Sequence, residues 1–276
     1  MNVGMLTAPF GREKLATVLD FAADEGIPAL EIIAGPGSNH IDPAQLTAAK
    51  VRSIRDAVEG RGLTISSLAY YTNTADPANA RNIQAHAKKC IDTAVKLGVP
   101  TVCMLAGMPV DGMSKIETIR KVLPKAFKPI LAHAAKKGVN IALENYFATC
   151  LQGPDTFECL FETIPDDHFG LNYDPSHLVH QQCDHLLPVS MFAKRIFHTH
   201  AKDTLVDKAK LAKVGVYAPG WWRYVIPGFG NIDWGEYISH LRMNGYDGVL
   251  SIEHEDGAQG REEGFMRGAR HLEQFC

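Results

Sequence analysis

The chain has 276 residues, of which 46% are hydrophobic and 21% charged, and its formal net charge is -3. This composition is typical of a globular protein and excludes disordered, collagen-like and membrane-spanning chains. The nearly balanced charge gives no electrostatic reason to expect a nucleic acid or an anionic membrane as a partner.

Eight short apolar segments alternate with longer segments of helical periodicity from one end of the chain to the other. The predicted strands cover residues 3–7, 29–34, 63–69, 101–106, 140–144, 168–173, 196–200 and 248–254. Strands separated by helices run parallel, and eight of them close a barrel. An open doubly wound sheet would alternate in the same way, but Ala-Pro-Phe-Gly at 8–11 is not the glycine-rich phosphate loop that such sheets usually carry. The predicted fold is therefore α/β, a single (β/α)8 TIM barrel.

Amphipathic helices are predicted at residues 43–59, 79–97, 114–137 and 234–243, where apolar residues recur at spacings of three and four. Asp42 and Pro43 are the expected N-cap and first residue of one helix, and Gly98, Gly138 and Gly245 are expected C-caps. We expect one domain over residues 1–276, because no linker or longer repeat interrupts the pattern. The segment at about 201–231 is predicted to be a long loop at the C-terminal mouth of the barrel, where active sites are built.

Acidic and histidine side chains end the last four predicted strands. These residues are Glu144, Asp174, His200 and Glu253. In a closed barrel the strand ends form one ring, and three carboxylates facing an imidazole there require a cation between them. A single acid after a strand is more often a helix cap or a solvated loop residue, but four on successive strands weaken that explanation. We therefore predict one divalent metal ion, Mn²⁺ first, with Co²⁺, Mg²⁺ or Zn²⁺ as alternatives.

Five further residues are candidates for contact with a substrate. They are His177, His198, Lys202, Trp222 and Arg223. His198 could equally be a hydrogen-bonded core histidine, because strand alternation places it one layer deeper than the ligand ring. Trp222 could stack on the apolar face of a sugar ring or pack inside its own loop. Lys202 and Arg223 could donate hydrogen bonds to substrate oxygens or form ordinary salt bridges.

The motifs around these positions resemble the xylose isomerase-like TIM barrel superfamily, in its sugar phosphate isomerase/epimerase branch, over nearly the whole chain. They are Ala-Leu-Glu-Asn at 142–145, Asn-Tyr-Asp-Pro-Ser-His at 172–177, His-Thr-His-Ala-Lys-Asp at 198–203, Gly-Phe-Gly-Asn-Ile-Asp-Trp at 228–234 and Ser-Ile-Glu-His-Glu at 251–255. The resemblance implies that Glu144, Asp174, His200 and Glu253 bind the metal. It further implies that Glu144 and Glu253 are the catalytic residues, exchanging a proton on opposite faces of the substrate, and that His177 orients that substrate.

One departure from the ketose 3-epimerases concerns an arginine that they carry shortly after the metal histidine. Residues 201–205 contain none, and Arg223 is a distant substitute, so a simple ketose is not the expected substrate. Gly-Trp-Trp-Arg-Tyr at 220–224 resembles members that act on 3-keto-glycosides, among them epimerases and the catalytic subunits of C-glycoside deglycosidases.

The predicted function is a divalent-metal-dependent sugar isomerase or epimerase. It removes a proton next to the carbonyl of a keto-sugar or 3-keto-glycoside, through an enediolate that the ion stabilises. A lyase, or C-glycoside deglycosidase subunit, could use the same site for β-elimination. A carbohydrate-binding or inactive barrel subunit is the alternative without catalysis. An abasic-site endonuclease would need more ligands on the early strands, where candidates are scattered at Glu31, His40, Tyr70 and Leu105.

The six scattered cysteines show no metal-binding or disulfide spacing, so we expect reduced thiols. The first residues lack the basic and apolar regions of a signal peptide, and we expect a cytoplasmic protein. Its expected partner is a small sugar, with no nucleic acid and no membrane. The resemblance implies a homo-oligomer, and the deglycosidase motif would allow an accessory subunit.

Overall fold

The computed structural model describes residues 1–276 and contains ten strands. They are β1 (Asn2–Leu6), β2 (Ala29–Ile33), β3 (Thr64–Tyr70), β4 (Thr101–Leu105), β5 (Asn140–Glu144), β6 (Phe169–Tyr173), β7 (Ile196–Ala201), β8 (Asp203–Val206), β9 (Trp222–Val225) and β10 (Val249–Ile252). Eight of them pair in parallel in the order β1-β10-β7-β6-β5-β4-β3-β2 and close a barrel. The predicted (β/α)8 barrel is confirmed.

The chain contains eleven α-helices, most of which follow barrel strands and bury an apolar face. They are α1 (Leu15–Asp24), α2 (Ala48–Glu59), α3 (Ala80–Leu97), α4 (Lys115–Lys121), α5 (Leu123–Lys137), α6 (Pro154–Thr163), α7 (Ser176–Val179), α8 (Leu187–Met191), α9 (Lys208–Val214), α10 (Trp234–Met243) and α11 (Arg261–Glu273). In α3, for example, Ile83, Ala87, Ile91 and Ala94 are buried, which is the spacing of one helix face. None of the helices combines the length and the apolar composition needed to cross a membrane.

Two predicted helices are shorter than their periodic patterns. The helix predicted at 43–59 begins at Ala48: Asp42 caps only a 3₁₀ turn, Pro43–Gln45, and the Thr47 side chain caps the real helix by accepting from the Lys50 N–H. The helix predicted at 114–137 is interrupted at Val122. Pro124 has no N–H with which to continue α4, but it fits the first turn of α5.

The glycines predicted to end helices adopt backbone conformations that favour glycine. Gly98 and Gly138 are left-handed caps of α3 and α5, as predicted. Gly245 also has a positive φ of 86°, but it follows the cap of α10, which is Asn244.

The predicted loop at 201–231 has secondary structure of its own. Strands β8 and β9 pair antiparallel, with Thr204 opposite Tyr224 and Val206 opposite Trp222, and α9 lies between them in sequence. Because β8 follows directly after β7, this hairpin stands at the C-terminal end of the barrel.

The buried Asp203 carboxylate holds the base of this hairpin. It accepts hydrogen bonds from the backbone N–H groups of Gly228, Gly230 and Ile232 and from the indole N–H of Trp234. A Cβ on Gly230 would lie 2.2 Å from Asp203 Oδ1, so only glycine fits there. The Gly-Phe-Gly-Asn-Ile-Asp-Trp motif therefore closes the hairpin onto the barrel.

Candidate metal centre and substrate pocket

The four predicted ligands converge at the C-terminal mouth of the barrel. Glu144 is the last residue of β5, His200 lies in β7, and Asp174 and Glu253 directly follow β6 and β10. One nitrogen or oxygen atom from each lies within 4.8 Å of the others. His200 Nδ1 lies 3.1 Å from Glu253 Oε2, 3.8 Å from Glu144 Oε1 and 3.9 Å from Asp174 Oδ2. Parallel strands that end on one ring thus bring distant parts of the sequence together.

Two atoms of this group, Asp174 Oδ2 and His200 Nδ1, are buried and form no hydrogen bond of acceptable geometry. Charged neighbours lie close to both, with Lys202 Nζ 3.2 Å from the first and Glu253 Oε2 3.1 Å from the second. Buried polar atoms are nearly always paired, because an unpaired one loses its hydration without compensation. A cation between the four side chains would compensate both atoms at once. The donor set, three carboxylates and one imidazole, therefore fits a divalent ion of the Mn²⁺, Mg²⁺ or Zn²⁺ type.

Lys202 places a buried ammonium beside the same carboxylates. Its Nζ lies 2.6 Å from Glu253 Oε2, 3.2 Å from Asp174 Oδ2 and 3.4 Å from Glu255 Oε2. Burial alone would lower the pKa of Lys202, but the charges of Glu253 and Asp174 outweigh it and raise that pKa well above its ordinary value. Lys202 therefore brings positive charge into this cluster, although the surrounding acids still outnumber it.

Glu144 has a different neighbour, the imidazole of His177. His177 Nε2 lies 3.1 Å from Glu144 Oε1, while its Nδ1 lies 2.6 Å from the Tyr224 hydroxyl. Burial raises the pKa of Glu144, but the hydrogen bond with His177 and the charges of His200 and Lys202 lower it well below its ordinary value. The two proposed catalytic carboxylates are thus distinct, because Glu144 is hydrogen-bonded to the His177 imidazole and Glu253 to the Lys202 ammonium.

A cavity of about 380 Å³ opens above these side chains and reaches Glu144, Glu253, Lys202 and His177. One wall is aromatic and consists of Tyr146, Phe147, Trp222 and Tyr224. Trp222 is held in place by His180, whose ring stacks on it at 3.9 Å with an interplanar angle of 7°. The cavity therefore has an apolar wall beside a charged floor, which suits a ligand with both C–H and hydroxyl surfaces.

Two residues predicted to contact a substrate do not line this cavity. Arg223 lies between Trp222 and Tyr224 on β9 and so points to the other face, where its guanidinium binds Asp256. His198 lies below the cavity, where its ring nitrogens pair with Asn172 and Ser66. The core alternative for His198 is the one that the structure supports.

A second group of potential ligands lies one layer deeper in the barrel and consists of Glu31, Cys103 and His198. Burial raises the pKa of Glu31, but the charges of His200 and His198 outweigh it and lower that pKa to about 2. Burial lowers the pKa of His198 to about 4 and raises that of the Cys103 thiol well above its ordinary value. Metal binding needs a thiolate and free lone pairs, and this group does not offer them. The lower layer is therefore a closed polar network and not a second metal site.

Sequence reasoning missed the roles of Glu31, Tyr71, His180 and Tyr224. Glu31 accepts hydrogen bonds from Tyr71 and Ser251, and it faces His200 Nε2 at 3.1 Å. Its signal is visible in the sequence as a charged residue inside the apolar strand Ala-Leu-Glu-Ile-Ile. The sequence gives no such signal for His180 and Tyr224, because these two side chains come into contact only when the hairpin folds.

Comparison with known proteins assigns the chain to a family. A family model described as xylose isomerase-like TIM barrel matches residues 19–275. The YfiH protein of Bacillus subtilis (strain 168) is 27% identical over 310 aligned positions, which cover 99% of each chain. An inosose dehydratase of Geobacillus thermodenitrificans is 30% identical over 133 residues, which cover 44% of this chain and 42% of that relative.

Solved structures share the fold at low sequence identity. The IOLI protein with a bound zinc atom has a TM-score of 0.75 at 20% identity, covering 100% of this chain and 99% of that one. A Mycobacterium smegmatis barrel in complex with magnesium has a TM-score of 0.76 at 20% identity, with coverage of 99% and 96%. The D-allulose 3-epimerase of Methylomonas sp., in complex with D-allulose, has a TM-score of 0.75 at 16% identity, with coverage of 100% and 97%.

Proposed function

The chain belongs to the xylose isomerase-like TIM barrel family, and from this we propose that it is a divalent-metal-dependent enzyme that isomerises or epimerises a keto-sugar or 3-keto-glycoside. The observation that carries the proposal is the convergence of Glu144, Asp174, His200 and Glu253 with two of their buried atoms unpaired. Mn²⁺ is the proposed ion. Zinc and magnesium in two neighbours of the same fold support a divalent metal without selecting one.

Glu144 and Glu253 are the proposed proton-transfer groups. A divalent ion held by the four ligands supplies a Lewis acid that makes a hydrogen next to a carbonyl more acidic. One carboxylate removes that proton, and the electron pair moves onto the carbonyl oxygen. For epimerisation the opposing carboxylate returns a proton to the other face of the same carbon. For isomerisation the same carboxylate returns it to the former carbonyl carbon, while the proton of the neighbouring hydroxyl passes to the former carbonyl oxygen. His177 orients Glu144, and Lys202 compensates the charge of Glu253.

The cavity favours an uncharged substrate. No guanidinium lines it, and its one ammonium, Lys202, is already surrounded by carboxylates. Because the proposed ion is likewise surrounded by carboxylates, a phosphate or carboxylate group on the substrate would find no free cation to pair with it. Tyr146, Phe147, Trp222 and Tyr224 offer instead a wall for the C–H face of a sugar ring. D-allulose, bound by a neighbour of the same fold, is an uncharged ketose.

Elimination is a second candidate function, and Lys202 is the observation that favours it. Once a proton has left the carbon next to the carbonyl, a hydroxyl or glycosyl group one carbon further can depart if an acid protonates it. Lys202 supplies an ammonium within 2.6 Å of Glu253 and lines the cavity. The similarity to inosose dehydratases over about half the chain supports the same outcome.

Exchange with solvent deuterium tests the proposal. The protein is incubated with Mn²⁺ and a panel of keto-sugars and 3-keto-glycosides in D₂O, and proton NMR follows the carbons next to the carbonyl. We expect deuterium to enter at one of these carbons, accompanied by an epimer, an isomer or an eliminated group. The matched control is Asp174→Asn, which removes a ligand but neither proton-transfer group. Exchange by the control at the wild-type rate, or no exchange across the panel, would contradict the proposal.

A further inference from the structure

We propose that Glu31 is a positioning residue for the metal site: its carboxylate fixes the His200 ring and the tautomer in which Nδ1 presents a lone pair to the ion. This inference rests on the proposed function, because it takes His200 as a ligand. Glu31 itself lies outside the set of four ligands and belongs to the layer below them.

The two nitrogens of His200 face opposite environments. Nδ1 points to the ligand carboxylates, with Glu253 Oε2 at 3.1 Å, and has no hydrogen-bond partner. Nε2 points to the barrel interior, where Glu31 Oε2 lies at 3.1 Å and the Tyr71 hydroxyl at 3.0 Å. A neutral imidazole carries one hydrogen, so whichever nitrogen keeps it leaves the other free to bind metal.

The partners of Nε2 decide where that hydrogen lies. A carboxylate oxygen only accepts, and the single Tyr71 hydrogen is donated to Glu31 Oε1. The hydrogen between Nε2 and Glu31 must therefore sit on Nε2. The Asn172 amide nitrogen lies 3.0 Å from both Nε2 and the Tyr71 oxygen, and of its two hydrogens we assign the one in this region to the Tyr71 oxygen, which is free to accept it. Nδ1 is then the nitrogen with the free lone pair.

The surroundings of Glu31 give this carboxylate little freedom to move. The side chain is fully buried, and Ser251 donates a hydrogen bond of 2.9 Å to the oxygen that faces His200. Tyr71 holds the other oxygen. Carboxylate-to-histidine contacts of this kind typically change metal affinity by about 10-fold to 100-fold when they are removed.

Metal affinity in matched variants is the first test. Glu31→Leu removes the acceptor, Glu31→Gln keeps an acceptor oxygen without the charge, and Ser251→Ala disturbs the same network while leaving the carboxylate in place. For Mn²⁺, measured by electron paramagnetic resonance, we expect Glu31→Leu to weaken binding by about 10-fold or more. Glu31→Gln should recover part of that loss, and Ser251→Ala should bind nearly as wild type does. Wild-type affinity in Glu31→Leu would overturn the inference.

A second measurement needs no variant and so does not depend on whether Glu31→Leu folds. Nitrogen-15 NMR of zinc-loaded wild-type protein with labelled histidine identifies which ring nitrogen of His200 carries hydrogen. We expect Nε2–H with Nδ1 bound to zinc, and the reverse assignment would overturn the inference. If wild type binds no divalent ion, the proposed function fails instead, so the two failures are distinguishable.

Discussion

Two layers of ionisable side chains fill the same barrel and differ in one property. The upper layer, Glu144, Asp174, His200 and Glu253, and the lower layer, Glu31, Cys103 and His198, both bring potential ligand atoms within 4.8 Å of one another. In the lower layer the carboxylate oxygens and ring nitrogens have hydrogen-bond partners. In the upper layer two buried atoms have none. Unpaired lone pairs, rather than the clustering of acids and histidines, therefore distinguish the candidate metal site.

Position along the strands explains the difference. Lower-layer residues lie inside strands, where Tyr71 and Ser251 pair with the Glu31 oxygens and Asn172 pairs with His198. Upper-layer residues lie at strand ends beside an open cavity, where Lys202 and His177 contact Glu253 and Glu144 but two buried atoms keep no hydrogen-bond partner. A closed barrel thus completes its polar network below and leaves it incomplete at its mouth.

The largest effect should come from neutralising the upper layer. Glu144→Gln and Glu253→Gln each remove a proton acceptor at the reacting carbon, and we expect each to lower kcat by roughly 10³-fold. The solvent-deuterium assay measures this, and circular dichroism checks that the barrel remains folded. Glu158→Gln, on the exposed face of α6, is the control and should retain full activity. Near-normal turnover in either glutamate variant would refute their catalytic assignment.

The charges of the upper layer should have the next largest effect, which is selectivity for an unphosphorylated over a phosphorylated substrate. Because only Lys202 offers a cation there, a phosphorylated keto-sugar should have a kcat/KM about 100-fold below that of its unphosphorylated counterpart. Steady-state kinetics on the matched pair measures the ratio. Equal kcat/KM values, or a preference for the phosphorylated sugar, would mean that the cavity contains an anion-binding site and would contradict this prediction.

The lower layer should instead affect how the free energy of unfolding depends on pH. His198 has a folded pKa of about 4, below its ordinary value of 6.5. The contribution of His198 to the free energy of unfolding is fully present above pH 6.5. It is lost as pH falls toward 4, because in that range only the unfolded chain binds the proton. The free energy of unfolding should fall by about 1 kcal/mol per pH unit from this residue. Denaturant unfolding is measured at several pH values with a chelator present. The free energy of unfolding should change less steeply with pH in His198→Gln than in wild type, and an unchanged pH dependence would contradict the assignment.

The smallest effect should come from Cys103, although it belongs to the lower cluster. Its thiol is buried and neutral, so it has no reason to bind the ion. Cys103→Ala should keep its activity and lose only about 1 kcal/mol of stability through the cavity it leaves. An activity loss as large as that of Glu144→Gln would mean that the lower layer takes part in catalysis.

The barrel and the upper layer could be predicted from the sequence for a common reason. Strand periodicity locates the strand ends, and parallel connections place Glu144, Asp174, His200 and Glu253 at one mouth. The breaks at Thr47 and Val122 were missed because helix periodicity continues across them, whereas a capping side chain and a proline decide the outcome.

The partners of each site residue could not be predicted from the sequence. Arg223 alternates away from the cavity only because β8 and β9 form a hairpin, a pairing that the predicted loop did not include. The role of Glu31 requires the register that brings it beside His200, 169 positions away. Such long-range contacts depend on the closed sheet rather than on any local pattern.

Metal stoichiometry tests the central claim most directly. Wild-type protein, Asp174→Asn and Cys103→Ala are stripped with a chelator, dialysed against Mn²⁺ and analysed for bound metal per chain. The metal-centre proposal predicts one ion in wild type and in Cys103→Ala, and a large loss of binding in Asp174→Asn. No ion in wild type, or unchanged binding in Asp174→Asn, would contradict it.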